Sequence, residues 1–135
     1  MPEEKTIRVK GIDHFLVVSR DLEKTRAFYC DLLGMEQLPR PDFSFPGLWF
    51  EAGNTQVHVT LEGEDAGTAG QGEFTGNYPA QGQHLAFEID DAAEAASHLE
   101  SLGIEIVDGP YLRPDGPLQF YIYDPDGYLI ELFSR

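Results

Sequence analysis

With 24 acidic against 9 basic side chains and a formal net charge of −15 over 135 residues, the chain has room for one shared core, and its surface repels phosphate backbones and anionic lipid. Cys30 is the single cysteine, which excludes an intrachain disulfide and a thiolate zinc cluster. No apolar run reaches membrane-spanning length or follows the first residues as a signal sequence would, so a cytoplasmic protein is expected.

In chain order, Ile12 to Val18 reads as a strand, an apolar and β-branched run broken by Asp13 and His14. Asp21 can cap the helix that follows, with Leu22, Thr25, Tyr29, Leu32 and Leu33 on its apolar face, and Gly34 closes it. Short strands are predicted over Met35–Leu38 and Gly47–Ala52, on either side of a Pro39–Pro46 turn region. Gly53-Asn54 then turns the chain into a fourth strand over Thr55–Leu61. Glu62 to Gln81, rich in Gly, Glu, Thr and Ala, is a long connection and reads as a linker in preference to a lid. Beyond it the order recurs. A strand spans His84–Ile89, and Asp90 or Asp91 caps an alanine-rich helix ending at Gly103. Strands follow over Ile104–Val107 and Leu118–Tyr123, and Asp124-Pro125-Asp126-Gly127 turns into a last strand over Tyr128–Phe133. Cys30 falls among Phe28, Tyr29, Leu32 and Leu33, where a buried, inert thiol is expected.

The chain therefore repeats itself, and the repeat sets the expected architecture. It is an α+β fold of two tandem βαβββ modules: module one 11–61, a connection 62–82 and module two 83–134. They are expected to form a curved mixed sheet around a metal cavity. The repeat also pairs polar side chains. His14 and His84 stand 70 positions apart on the first strands of the two modules, and His58 and Glu131 stand 73 apart on the last strands. In a strand alternate residues share a face, so each of the four projects from a largely apolar surface, where a polar group needs a partner. One divalent transition metal (Zn, Ni, Fe, Co or Mn) bound by His14, His58, His84 and Glu131 would satisfy all four. Such an ion can act as a Lewis acid on a carbonyl or enediolate oxygen. His98, within the second helix, is read as a solvated residue.

The βαβββ repeat, the Asp21-Leu22-Glu23-Lys24-Thr25-Arg26-Ala27-Phe28-Tyr29 helix start and the Asp124-Pro125-Asp126-Gly127-Tyr128-Leu129-Ile130-Glu131 ending resemble the vicinal oxygen chelate superfamily. That group spans glyoxalase I, extradiol dioxygenases, fosfomycin-resistance enzymes, methylmalonyl-CoA epimerase and bleomycin resistance proteins. The resemblance runs from Gly11 to Phe133 and implies ligands at His14, His58, His84 and Glu131. It implies a metal-dependent lyase or isomerase acting on a small α-oxygenated carbonyl compound. The alternatives are a non-haem iron(II) extradiol-type ring-cleaving dioxygenase and a small-molecule binding or resistance protein. The catalytic histidine of the extradiol signature has no counterpart in Leu112-Arg113-Pro114. Glyoxalase I has a glutamate where His58 stands, and an arginine and an asparagine for glutathione where Val18 and Glu62 fall. By the same resemblance Glu131 is the candidate base, Glu88 the second candidate, and Tyr121 a donor to a substrate oxygen. Trp49 and Phe50 are expected in the core or on the cavity wall. A homodimer is implied, since relatives commonly pair modules between chains to close the metal cavity.

Overall fold

The computed structural model describes residues 5–135. Its strands form two four-stranded mixed sheets of the same topology. In sheet one, β1 (His14–Ser19), β2 (Glu36–Leu38), β3 (Gly47–Ala52) and β4 (Thr55–Leu61) lie in the order β1-β4-β3-β2. In sheet two, β5 (Leu85–Glu88), β6 (Asp108–Leu112), β7 (Leu118–Tyr123) and β8 (Leu129–Ser134) lie in the order β5-β8-β7-β6. The first and last strands of each module run parallel and the other neighbours antiparallel. This is the two-module α+β fold expected from the repeat.

The helices begin where carboxylates cap them. Asp21 accepts from the backbone N–H groups of Glu23 and Lys24 at 3.0 and 3.2 Å, opening α1 (Leu22–Arg26). The chain then continues in a wider π-helical turn over Ala27–Leu32. Asp91 accepts from Glu94 N–H at 3.0 Å and opens α2 (Ala92–Ser101). Gly34 and Gly103 follow the two helices with φ of 75° and 79°, the left-handed conformation that ends a helix with least strain. Among the described residues no helix is long and apolar enough to cross a membrane.

Alternation sorts each sheet into a packed face and an open face. Val17, Phe50, Val57 and Val59 of sheet one join Phe120, Ile122, Ile130 and Leu132 of sheet two in one core, which also takes in Phe28, Tyr29, Ala92, Ala96 and Leu99 from the helices. Phe50 is fully buried there. Cys30 packs partly buried against the same core, and burial pushes its thiol up.

One strand differs from the sequence expectation. Ile104–Val107 does not form a strand; β6 is Asp108–Leu112. Ile104 N–H returns to Leu99 carbonyl at 3.0 Å to finish the helix end, and Ile104 and Ile106 pack against the core. Only Val107 reaches β7, donating to Tyr121 carbonyl at 2.8 Å. A register shift between Asp108 and Tyr111 accommodates Pro110, which has no N–H for the ladder. The β-branched run thus serves packing, and pairing is made by a less strand-like segment.

The Asp124–Gly127 turn, read from sequence only as a turn, ties the modules together. Asp124 accepts from Asp126 and Tyr128 N–H at 2.9 and 3.0 Å and from the Tyr29 hydroxyl of module one at 2.8 Å. Burial still pushes the Asp124 carboxyl above its ordinary range, against those donors. Asp126 accepts from Arg20 N–H at 3.0 Å, and the Tyr128 hydroxyl accepts from Val18 N–H at 2.9 Å. The connection between modules is also held: Gln71 donates to Gln83 carbonyl at 2.9 Å and accepts from Leu129 N–H at 3.0 Å.

Candidate functional site

The four repeat-related side chains sit on the faces turned away from the shared core, two to each sheet, in the same register, with His58 and Glu131 buried there. In sheet one His58 is the cross-strand partner of Leu16, two residues after His14, and its other neighbour is Trp49. In sheet two Glu131 is the partner of Ala86, two residues after His84, and its other neighbour is Tyr121. Among the described residues, no group of three or more His, Cys, Asp or Glu side chains is gathered so as to hold a metal ion. One chain therefore offers two separate pairs.

The pair on sheet two is enclosed. Glu131 is 6 % exposed, and its Oε1 accepts the Tyr121 hydroxyl at 2.8 Å. Burial and that carboxylate push the Tyr121 phenol far up, so it stays a donor at any physiological pH. His84 Nδ1 lies 2.8 Å from Gly82 carbonyl. A carbonyl can only accept, so Nδ1 carries hydrogen and a neutral ring offers a lone pair at Nε2. That Nε2 faces Glu131 Oε1 at 3.1 Å. Two lone pairs at that distance repel unless a proton or a cation lies between them. A histidine whose far nitrogen is fixed by a carbonyl, beside a buried carboxylate, suits the divalent ion that the resemblance implies.

The pair on sheet one is flatter and more open. The rings of Trp49, His58 and His14 form one stack, with centroids 4.2 and 4.0 Å apart and interplanar angles of 5° and 13°. His14 Nδ1 lies 2.8 Å from the Asp13 carboxylate, and His58 Nε2 lies 2.8 Å from Gln56 Oε1. Burial, then the neighbouring His14 ring, holds the His58 pKa below its ordinary value, so the ring is neutral at pH 7 and can serve as a donor atom to a metal.

Of the other sequence candidates, Tyr121 stands within reach of Glu131. Glu88 shares the open face through its alternation with Ala86, but its half-exposed carboxylate is 3.4 Å from Arg135. His98 is exposed on α2. Trp49 and Phe50 divide between the two expected roles, Trp49 against His58 and Phe50 in the core. Sequence reading did not single out Gly82, whose carbonyl orients His84, or Gln56. The signal for Gln56 was its place two residues before His58, on the same strand face.

Comparison with known proteins places the chain in a family. The family model described as the Glyoxalase/Bleomycin resistance protein/Dioxygenase superfamily matches residues 11–132. The chain belongs to that superfamily. It is 33 % identical to the glyoxalase domain-containing protein RDO1 of Mycosarcoma maydis, over 98 % of this chain and 72 % of that protein. It is 30 % identical to the lactoylglutathione lyase of Neisseria meningitidis serogroup A, over 90 % of this chain and 88 % of the relative. Among solved structures, one described as of the glyoxalase family from Bacillus anthracis superposes with a TM-score of 0.72 at 32 % identity, covering 97 % of this chain and 99 % of the other. Proteins of this superfamily bind small molecules.

Proposed function

We propose that the protein is a metal-dependent glyoxalase-type lyase or isomerase of the cytoplasm, acting on a small α-oxygenated carbonyl compound. The observation that carries this reading is the opposition of His84 Nε2 and Glu131 Oε1 at 3.1 Å, with Nδ1 already committed to Gly82 carbonyl. His14, His58, His84 and Glu131 are the residues that would hold one divalent transition ion. When bound, the ion supplies a Lewis acid that stabilises an enolate oxygen. Because a single chain offers two pairs, the reading includes a homodimer in which sheet one of one copy faces sheet two of the other. Symmetric pairing of this kind is the commonest form of association.

The chain's own residues would perform the proton chemistry. Glu131 takes the proton α to the carbonyl and returns it to the neighbouring carbon. Tyr121 holds Glu131 Oε1 in place, and its hydroxyl can turn to a substrate oxygen as the carboxylate accepts a proton. Glu88 is the second candidate base, with the Arg135 contact to break first.

Elemental analysis of freshly purified protein is expected to find one divalent transition ion per chain, with sedimentation giving a dimer. His84→Ala and Glu131→Ala should each lower metal content sharply; unchanged stoichiometry in both would overturn the site. A panel of α-oxoaldehyde–thiol adducts tests turnover. Ring cleavage of catechols by anaerobically loaded iron(II) protein would replace this reading with the dioxygenase. Ligand-induced stabilisation without turnover on any metal would replace it with a binding protein.

A further inference from the structure

The open face of sheet one continues beyond its histidines. Leu16 and Val18 on β1 and Thr60 on β4 share the face of His14 and His58, and the Val18–Thr60 pair lies two residues beyond the Leu16–His58 pair, about 7 Å along the strands. There Leu16, Val18, Phe45 and Pro46 meet the 60–66 segment around a cavity of about 540 Å³, within the size range of small-ligand sites.

Its two sides differ in chemistry. On one, Phe45 stacks on Phe43 at 5.2 Å, and the Arg40 guanidinium lies over both rings at 4.7 and 4.9 Å while donating to Phe45 carbonyl at 3.0 Å. That clamp holds an aromatic wall upright. On the other, Gly63 and Gly67 exchange backbone hydrogen bonds of 3.1 and 2.8 Å, closing a tight loop that carries Glu64 and Asp65. Glu62, at its base, is held by Ala69 N–H at 3.2 Å. All three acidic residues line the cavity, and among the described residues no lysine or arginine does, the Arg40 guanidinium backing the Phe45 wall.

We propose that this cavity binds small amphiphilic cations. A flat apolar body lies over Leu16, Val18 and against Phe45, a protonated amine faces Glu62, Glu64 and Asp65, and the oxygenated end reaches the His14–His58 pair. The assignment names the substrate class for the reaction proposed above and rests on that reading for what happens at the oxygenated end. Polycarboxylate substrates such as glutathione adducts are repelled by the same rim.

Three probes of one shape separate the terms: 4-phenylbutylamine, 4-phenylbutanol and 4-phenylbutyrate, each titrated by calorimetry into the full chain. None carries a reacting carbonyl, so the result stands whether or not turnover is found. The amine should bind about five-fold or more tighter than the alcohol, and the carboxylate weakest. E64Q/D65N should bring the amine to within about two-fold of the alcohol. E100Q/E105Q changes net charge equally but at exposed positions outside the cavity lining, and should leave the ranking alone. Leu16→Trp, at a residue already 44 % exposed, should weaken all three by filling the floor. Equal affinities for the three probes, no measurable binding of the amine at millimolar concentration, an amine preference that survives E64Q/D65N, or binding indifferent to Leu16→Trp would each overturn the proposal.

Discussion

The two modules place a histidine, a strand partner two residues on, a last-strand ligand candidate and a third-strand aromatic in the same register, yet build different environments from them. In module two the aromatic is Tyr121, which gives a hydrogen bond to Glu131. In module one it is Trp49, which gives His58 a flat stacking surface. The histidine's outer nitrogen meets a backbone carbonyl in module two and an exposed carboxylate in module one. The repeat thus sets position, while the neighbours set chemistry. A buried carboxylate beside a permanent donor is suited to moving protons; a stack with the neutral His58 ring at its centre is suited to holding an ion or a substrate without taking its proton.

The two modules differ most at the last-strand residue, His58 in one and Glu131 in the other. Glu131→Gln keeps the shape and the Tyr121 contact but removes the carboxylate proposed as the base, so on that proposal turnover should fall about 10²–10⁴-fold on any substrate the protein accepts. His58→Gln should lower metal affinity and raise KM, with a smaller effect on kcat at saturating metal. Kinetics on metal-reconstituted variants test both. If Glu131→Gln turns over normally with full metal, module two holds no base there, and Glu88 is the next residue to replace.

A smaller effect separates the third-strand aromatics. Tyr121→Phe strips a buried carboxylate of its donor and should cost about 1–3 kcal/mol of stability, with a loss in kcat. Trp49→Phe keeps a ring against His58 and should cost less than about 1.5 kcal/mol. Denaturant unfolding of the two variants reads the difference directly. Equal costs would mean that the Tyr121 hydroxyl contributes nothing beyond its ring.

Much of this was legible in the sequence because it is local. Caps at Asp21 and Asp91, helix ends at Gly34 and Gly103, and the alternation placing His14, His58, His84 and Glu131 on open faces each depend on a few neighbouring residues. What escaped depends on partners distant in the chain. Ile104–Val107 has strand composition, but the helix end and the core claim it, and pairing passes to Asp108–Leu112. Asp124-Pro125-Asp126-Gly127 announces a turn, whereas its bonds to Arg20 and Tyr29 across the modules involve residues about a hundred positions away. The sequence also could not show that one chain would hold the candidate ligands as two pairs on separate sheets.

The smallest expected effect is in module one alone, and its sign follows from burial. Desolvation and the adjacent His14 ring hold the His58 pKa below its ordinary value in the folded protein. The unfolded chain takes up that proton near pH 6.5. The unfolded state therefore binds more protons between its own pKa and the lowered folded one. Stability owed to neutral His58 is complete above about pH 6.5 and is lost as pH falls from there through the folded value. Thermal unfolding of chelator-treated protein should show a midpoint that declines by a few degrees over this window. His58→Gln keeps a polar group facing Gln56 but cannot titrate, so it should flatten that decline. An unchanged slope in His58→Gln would locate the titration elsewhere and show that the stack of Trp49, His58 and His14 does not hold its central ring neutral.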